Sequence, residues 1–167
     1  DGNFSGSLPL AGGYIASSMG GNLVLVDLRR AKEAILFERY RMMLSNESSV
    51  TQKLMFPELL VFSTDDVALL REQADDITAF GVEYVVRDDN NVEVTGIPAD
   101  FSVEDVQTLL YDMIDALREE TLPLVERRER LASIMAKDGA RRTPKSYTEG
   151  EINAILEALS DGGRYNY

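Results

Sequence analysis

Apolar and polar positions change period several times along this chain, and each change marks an element. Leu23 to Asp27, L-V-L-V-D, is apolar in the manner of a buried strand, whereas from Arg29 the residues become unbranched helix formers such as Ala31, Lys32, Glu33, Ala34 and Leu36. The pattern predicts a strand that hands over to a helix at Asp27, the helix continuing to about Leu44. Leu36, Phe37, Tyr40, Met43 and Leu44 share one stripe at helical spacing and are expected in the core. Upstream, Pro9 to Ser18 reads as a strand and M-G-G-N at Met19–Asn22 as a turn, so Tyr14 to Asp27 is a predicted β-hairpin. Residues 1–7, rich in Gly, Ser and Asn, read as a frayed, disordered tail.

Ser45 to Val50 reads as a polar linker. Leu54 to Ser63 is the next apolar run, and Pro57, with no N–H for a ladder, makes it an irregular or edge segment. Ser63 with Asp66 signals a helix cap, and the helix is expected to run to Phe80 and end at Gly81. Val82–Val86 and Val92–Ile97 flank R-D-D-N-N as a second hairpin. Ser102 with Asp105 caps a helix through about Glu120, Pro123 opens another from Val125 to about Lys137, and Thr148 with Glu151 forms a capping box for a last helix ending near Ser160. The order of hairpin, helix, strand, helix, hairpin and three helices is that of a mixed α/β (α+β) chain.

Charge divides the same chain. Of a formal net charge of −12, residues 48–123 hold 4 basic and 17 acidic side chains, and the remainder holds 13 basic and 12 acidic. The asymmetry reads either as ordinary acidic solubility or as two lobes with different electrostatic neighbours. As a whole the chain is a poor unaided DNA binder. No apolar run approaches a membrane span, and the opening D-G-N-F-S-G-S lacks a signal-peptide pattern, so neither membrane nor leader is expected. The absence of cysteine excludes disulfides, thiolate metal sites and thiol nucleophiles, and fits a reducing compartment. The absence of histidine removes the commonest transition-metal ligand and the commonest general base at neutral pH.

Asp27, Glu33 and Glu38 place three oxygen donors at a strand end and along one helix, where a hard cation such as Mg²⁺ or Mn²⁺ could be held. Arg29 and Arg30 stand among them, and a guanidinium has no lone pair for a metal. Arg29 lies four residues before Glu33, so a helical ion pair is the simpler expectation. No G-x-G-x-x-G, G-x-x-x-x-G-K-[ST] or G-x-S-x-G motif is present. Arg127 to Lys145, with Lys137, Arg141 and Arg142, reads as a solvated basic face, with an auxiliary phosphate contact as the second reading.

The spacing D-x-x-x-x-x-E-x-x-x-x-E at a strand-to-helix junction resembles the C-terminal domain of the MutL family of DNA mismatch-repair proteins. Its nicking members carry D-Q-H-A-x-x-E-x-x-x-x-E there as part of a divalent-metal site. In this chain the acids stand at Asp27, Glu33 and Glu38, but Leu28, Arg29 and Arg30 occupy the Gln, His and Ala positions. The family's Cys and His near the C-terminus have no counterpart. Q-K-L-M-F-P at Gln52–Pro57 and G-I-P at Gly96–Pro98 extend the resemblance over nearly the whole chain.

The resemblance implies a homodimerisation domain whose nicking motif is degenerate, with no catalytic residue and no bound metal. It implies a dimerisation lobe built from 8–47 plus 124–167 and an inserted acidic regulatory lobe at 48–123. Tyr14, Ile15, Leu23 and Leu25 of the first hairpin are the expected dimer contacts. Gln52, Met55, Phe56 and Pro57 are similar to the short peptides that dock on a replication sliding clamp. A buried edge strand that happens to begin with Gln is the alternative reading of that segment. Expected partners are a second copy, mismatch-recognition and strand-discrimination repair proteins, and the clamp. ATP and Mg²⁺ would belong only to an N-terminal region outside this chain, and the expected location is the bacterial cytoplasm, at the nucleoid during repair. Two other functions stay open: an endonuclease with a carboxylate-only metal site, and an adaptor that binds partners without dimerising.

Overall fold

The computed structural model describes residues 3–45, 51–118, 123–141 and 147–162. Most of the expected linker before Thr51, together with Arg142, Lys145 and the C-terminal G-R-Y-N-Y, lies outside them. Two compact units emerge: Asp1–Glu38 with Ala136–Tyr167, and Arg39–Met135. The division falls within two long helices, α1 (Leu28–Ser45) and α5 (Leu124–Arg141).

The first unit is built on an antiparallel sheet of β1 (Phe4–Leu10), β2 (Tyr14–Met19) and β3 (Asn22–Asp27), in that order. Two expectations are corrected here. The supposed tail, 1–7, includes the first half of a strand, and Pro9–Ser18 is two strands joined by a turn rather than one. The turn rests on Gly12 and Gly13, at φ of 79° and 80°, a left-handed conformation that costs a side chain with Cβ. The Ser17 hydroxyl donates to Gly6 O at 2.6 Å, tying β1 to β2 across its register shift. The predicted hairpin forms as read, with Tyr14 opposite Asp27 and Met19 opposite Asn22.

One face of this sheet makes the unit's core. Ile15 and Val26 pack with Leu28 and Ala31 of α1 and with Ile152 and Leu156 of α6 (Glu149–Gly162). Phe4, Tyr147, Ile155 and Leu159 close the cluster. Thr148 caps α6, its Oγ1 accepting from Glu151 N–H at 3.2 Å, which is the N-cap half of the expected capping box.

The second unit has its own sheet, β4 (Thr51–Val61), β6 (Asn91–Pro98) and β5 (Glu83–Val86), with β6 in the middle. The R-D-D-N-N turn between β5 and β6 places Asp89 and Asn90 at φ of 58° and 61°. The predicted helix from Ser63 to Phe80 is instead two, α2 (Thr64–Glu72) and α3 (Ala74–Ala79), broken at Gln73. Ser63 caps α2 as expected, its Oγ accepting from Asp66 N–H at 3.2 Å. Ser102 behaves differently: its hydroxyl donates to the Glu104 and Asp105 carboxylates, beside a 3-10 turn at Val103–Asp105 that precedes α4 (Val106–Leu117).

Val106, Leu109, Leu110, Met113, Ile114 and Leu117 bury one stripe of α4 at helical spacing. Val92 and Val94 of β6 are fully buried as well. Tyr84 donates its hydroxyl to Leu70 O, and burial, with the Asp75 charge second, pushes that hydroxyl up to about 12, so it remains a protonated donor.

Candidate functional site

The first candidate is the face of the β1-β2-β3 sheet turned away from the core. Directly opposed residues in an antiparallel pair share a face. The register therefore puts Leu8, Ala16 and Leu25 in one row, Leu10 and Tyr14 in the next, and Ser18 and Leu23 in a third. Leu23 is 80% exposed and Leu25 63%, and Leu8, Leu10 and Tyr14 are exposed beside them. Ile15 is the correction. It lies on the other face, 1% exposed, inside the core cluster, and cannot also contact a partner. Leu8 and Leu10, alternating around Pro9, stand on the exposed face instead.

The second candidate is the outer stretch of β4. Lys53 pairs with Gly96 of β6, and Glu58 is the next residue in register, opposite Val94. Four residues of β4, Leu54 to Pro57, thus face a single residue of β6, and the edge strand bulges outward. Pro57 suits the bulge because it has no N–H to give the ladder. Met55 is 88% exposed and Phe56 77%, with Gln52 and Pro57 also exposed. A core strand would have hidden Phe56 with Leu54. Instead the apolar strip continues in the open along Leu59 and Val61.

The base of this bulge is fixed. Lys53 and Glu83 both register against Gly96 from opposite sides, and their side chains form an ion pair. A Cβ at Gly96 would stand 2.6 Å from Thr51 Cγ2 and 3.1 Å from Glu83 Oε2, so any side chain there would have to displace the Thr51 and Glu83 side chains that pack over the glycine. The G-I-P segment thus pairs with Thr51–Lys53, the stretch of β4 that leads into the bulge.

The third candidate is the junction at Asp27. Its Oδ1 accepts the N–H groups of Arg29 and Arg30 at 3.0 and 3.2 Å, and Leu28 N–H donates to Gly13 O at 3.0 Å. Three of the orphan donors that open α1 are thereby satisfied, which assigns Asp27 a capping role. The expected Arg29–Glu33 ion pair is not present among the described residues. Arg30 instead approaches Asp27, Nε to Oδ2 at 3.9 Å. Asp27, Arg29, Arg30 and Glu33 line one cleft of about 310 Å³ with Lys137 and Arg141 of α5. Among the described residues no three carboxylates converge as a metal group would require. A capping carboxylate in a cleft lined by four cations does not fit a divalent ion.

Comparison with known proteins decides the family. Residues 9–147 match the MutL C terminal dimerisation domain. This chain belongs to that family. The DNA mismatch repair protein MutL of Paramagnetospirillum magneticum is 30% identical over 159 residues, covering 92% of this chain and 26% of the relative. That of Parabacteroides distasonis is 28% identical over 149 residues, covering 89% and 24%. That of Neisseria meningitidis is 27% identical over 160 residues, covering 94% and 24%. The chain therefore spans about a quarter of the length of the MutL relatives it matches. Among the described residues of this MutL C-terminal domain, no helix is long and apolar enough to cross a membrane.

Proposed function

We propose that the domain homodimerises through the outer face of the β1-β2-β3 sheet and so joins two copies of a longer mismatch-repair protein, without cutting DNA itself. The observation that carries this is the open apolar face of Leu8, Leu10, Tyr14, Leu23 and Leu25 on a unit whose own core lies on the opposite face. Charge supports the assignment. The first unit has 8 basic and 9 acidic side chains, whereas the second has 9 basic and 20 acidic and would repel its own copy. The first unit is then the self-association lobe and the second the regulatory lobe. Light scattering at tens of micromolar tests it: a dimer mass is expected, and a monomer mass would sink the reading.

The domain is also expected to leave supercoiled DNA intact with Mg²⁺, Mn²⁺ or Zn²⁺. Metal-assisted hydrolysis needs an open coordination position and a held water. Asp27 is committed to the start of α1, the chain has no His or Cys, and the cleft is crowded with guanidinium groups. Arg29→His alone should create no activity. A gel assay showing metal-dependent nicking that vanishes in Asp27→Asn would promote the endonuclease reading.

Gln52–Pro57 is best read as a docking peptide for a sliding clamp. Met55 and Phe56 are free to enter apolar pockets while Gln52 sets polar register. Gln52→Ala with Met55→Ala is expected to abolish clamp binding in a surface-plasmon titration while leaving the dimer and its Tm nearly unchanged. Unfolding of this variant, or no binding by the parent chain at high micromolar clamp, would make the segment structural only.

A further inference from the structure

We propose that the cleft between the first turn of α1 and the last turns of α5 binds a phosphate-type oxyanion. Its lining holds four cations, Arg29, Arg30, Lys137 and Arg141, against two carboxylates, Asp27 and Glu33. The basic pairs come from segments more than a hundred residues apart, so the fold, not a local charge run, brings them together. Asp27 is turned into the helix cap, accepting two backbone N–H groups, and its other oxygen is 3.9 Å from Arg30. Arg141 Nη1 is 3.3 Å from Asp138. Among the described residues Arg29 and Lys137 have no carboxylate partner, and Glu33 has no cationic one.

Like charges facing one open cleft repel, and an anion entering it relieves that repulsion. A cation would have to pass four positive side chains to reach one uncommitted carboxylate. Guanidinium groups also present paired N–H donors in the planar fork that matches phosphate oxygens, with the lysine ammonium as a point charge. The net charge of −12 works against diffuse attraction of polyanions, so binding would be local to this cleft and steeply salt-dependent. Nothing in the site depends on self-association, and a monomeric variant should bind equally well per protomer.

Two sources of the oxyanion are distinguished by two arms. In the first, a short fluorescent DNA duplex is titrated at several salt concentrations and the slope of log Kobs against log[salt] is measured. Arg29→Gln with Lys137→Gln is expected to reduce that slope by roughly 2, about 0.9 for each phosphate no longer neutralised. Arg71→Gln with Arg87→Gln, which removes the same charge from the second unit, should not. Glu33→Gln should tighten binding, the opposite of its effect in a metal site. In the second arm, inorganic phosphate is titrated while the backbone amides of Arg29, Arg30 and Lys137 are followed by NMR. Saturable shifts with phosphate indicate a free small oxyanion, and shifts with duplex alone indicate a nucleic-acid backbone. The proposal is overturned if neither ligand moves these amides at low salt, if the control variant reduces the slope as much, or if Mg²⁺ alone gives saturable shifts that Glu33→Gln removes.

Discussion

Leu23→Glu combined with Leu25→Glu is expected to convert the dimer into a folded monomer. Each leucine covered in an interface contributes about 1.5–3 kcal/mol, and two-fold symmetry counts every substitution twice. The variant also brings like charges face to face across the interface, a repulsive element absent from the parent chain. A loss on the order of 4 kcal/mol, three decades in Kd, is a conservative expectation. Sedimentation velocity over a concentration series measures it directly.

The same substitutions should barely disturb the protomer. Both side chains project away from the Ile15–Val26–Leu28 cluster, and surface changes of this kind usually stay within about 0.5 kcal/mol. Ile15→Ala supplies the contrast. It lies one residue from Tyr14 but on the buried face, and its loss should cost about 2–5 kcal/mol of folding stability. If the double variant remains a dimer at low micromolar concentration, self-association uses another surface.

The strand-to-helix junction, both hairpins and the caps at Ser63 and Thr148 were legible because each is a local signal, set by turn chemistry or a capping side chain. What was not legible depended on partners distant in sequence. Ile15 follows Tyr14 directly, and neighbours on a strand face opposite ways; both faces of the hairpin are apolar, and only α1 and α6 packing on one of them decides which is core. The start of β1 looks like a Gly/Ser tail, and its order comes from pairing with β2 and from the Ser17 hydroxyl. Pro57 announced an irregular edge strand, but the size of the bulge follows from the register against β6. The break at Gln73 carries no Gly or Pro to mark it. At the junction itself, the family spacing was visible in the three acids, whereas the approach of Lys137 and Arg141 required the fold.

Asp76 shows how a polar residue of an acidic run becomes structural. In sequence it is one of two acids at the start of α3, a natural place for negative charge. In the second unit it is 5% exposed and receives a hydrogen bond from Arg128 Nε at 3.1 Å, with Arg127 Nε at 3.8 Å from its other oxygen. A carboxylate so far from water is stable only while those guanidinium groups stay in place. Removing the acid leaves two partly covered cations facing each other without their shared counter-charge. Asp76→Ala is therefore expected to destabilise the domain by about 1–3 kcal/mol in denaturant unfolding, since Arg127 and Arg128 keep partial access to water once the acid is gone. Asp65→Ala, an exposed acid of the same unit, should change stability by no more than about 0.5 kcal/mol. Asp76→Asn separates the two contributions: it keeps an oxygen for Arg128 but removes the charge, and should fall between them. If Asp76→Ala proves as mild as Asp65→Ala, water reaches the pair and these ion pairs contribute little to holding α5 against α3.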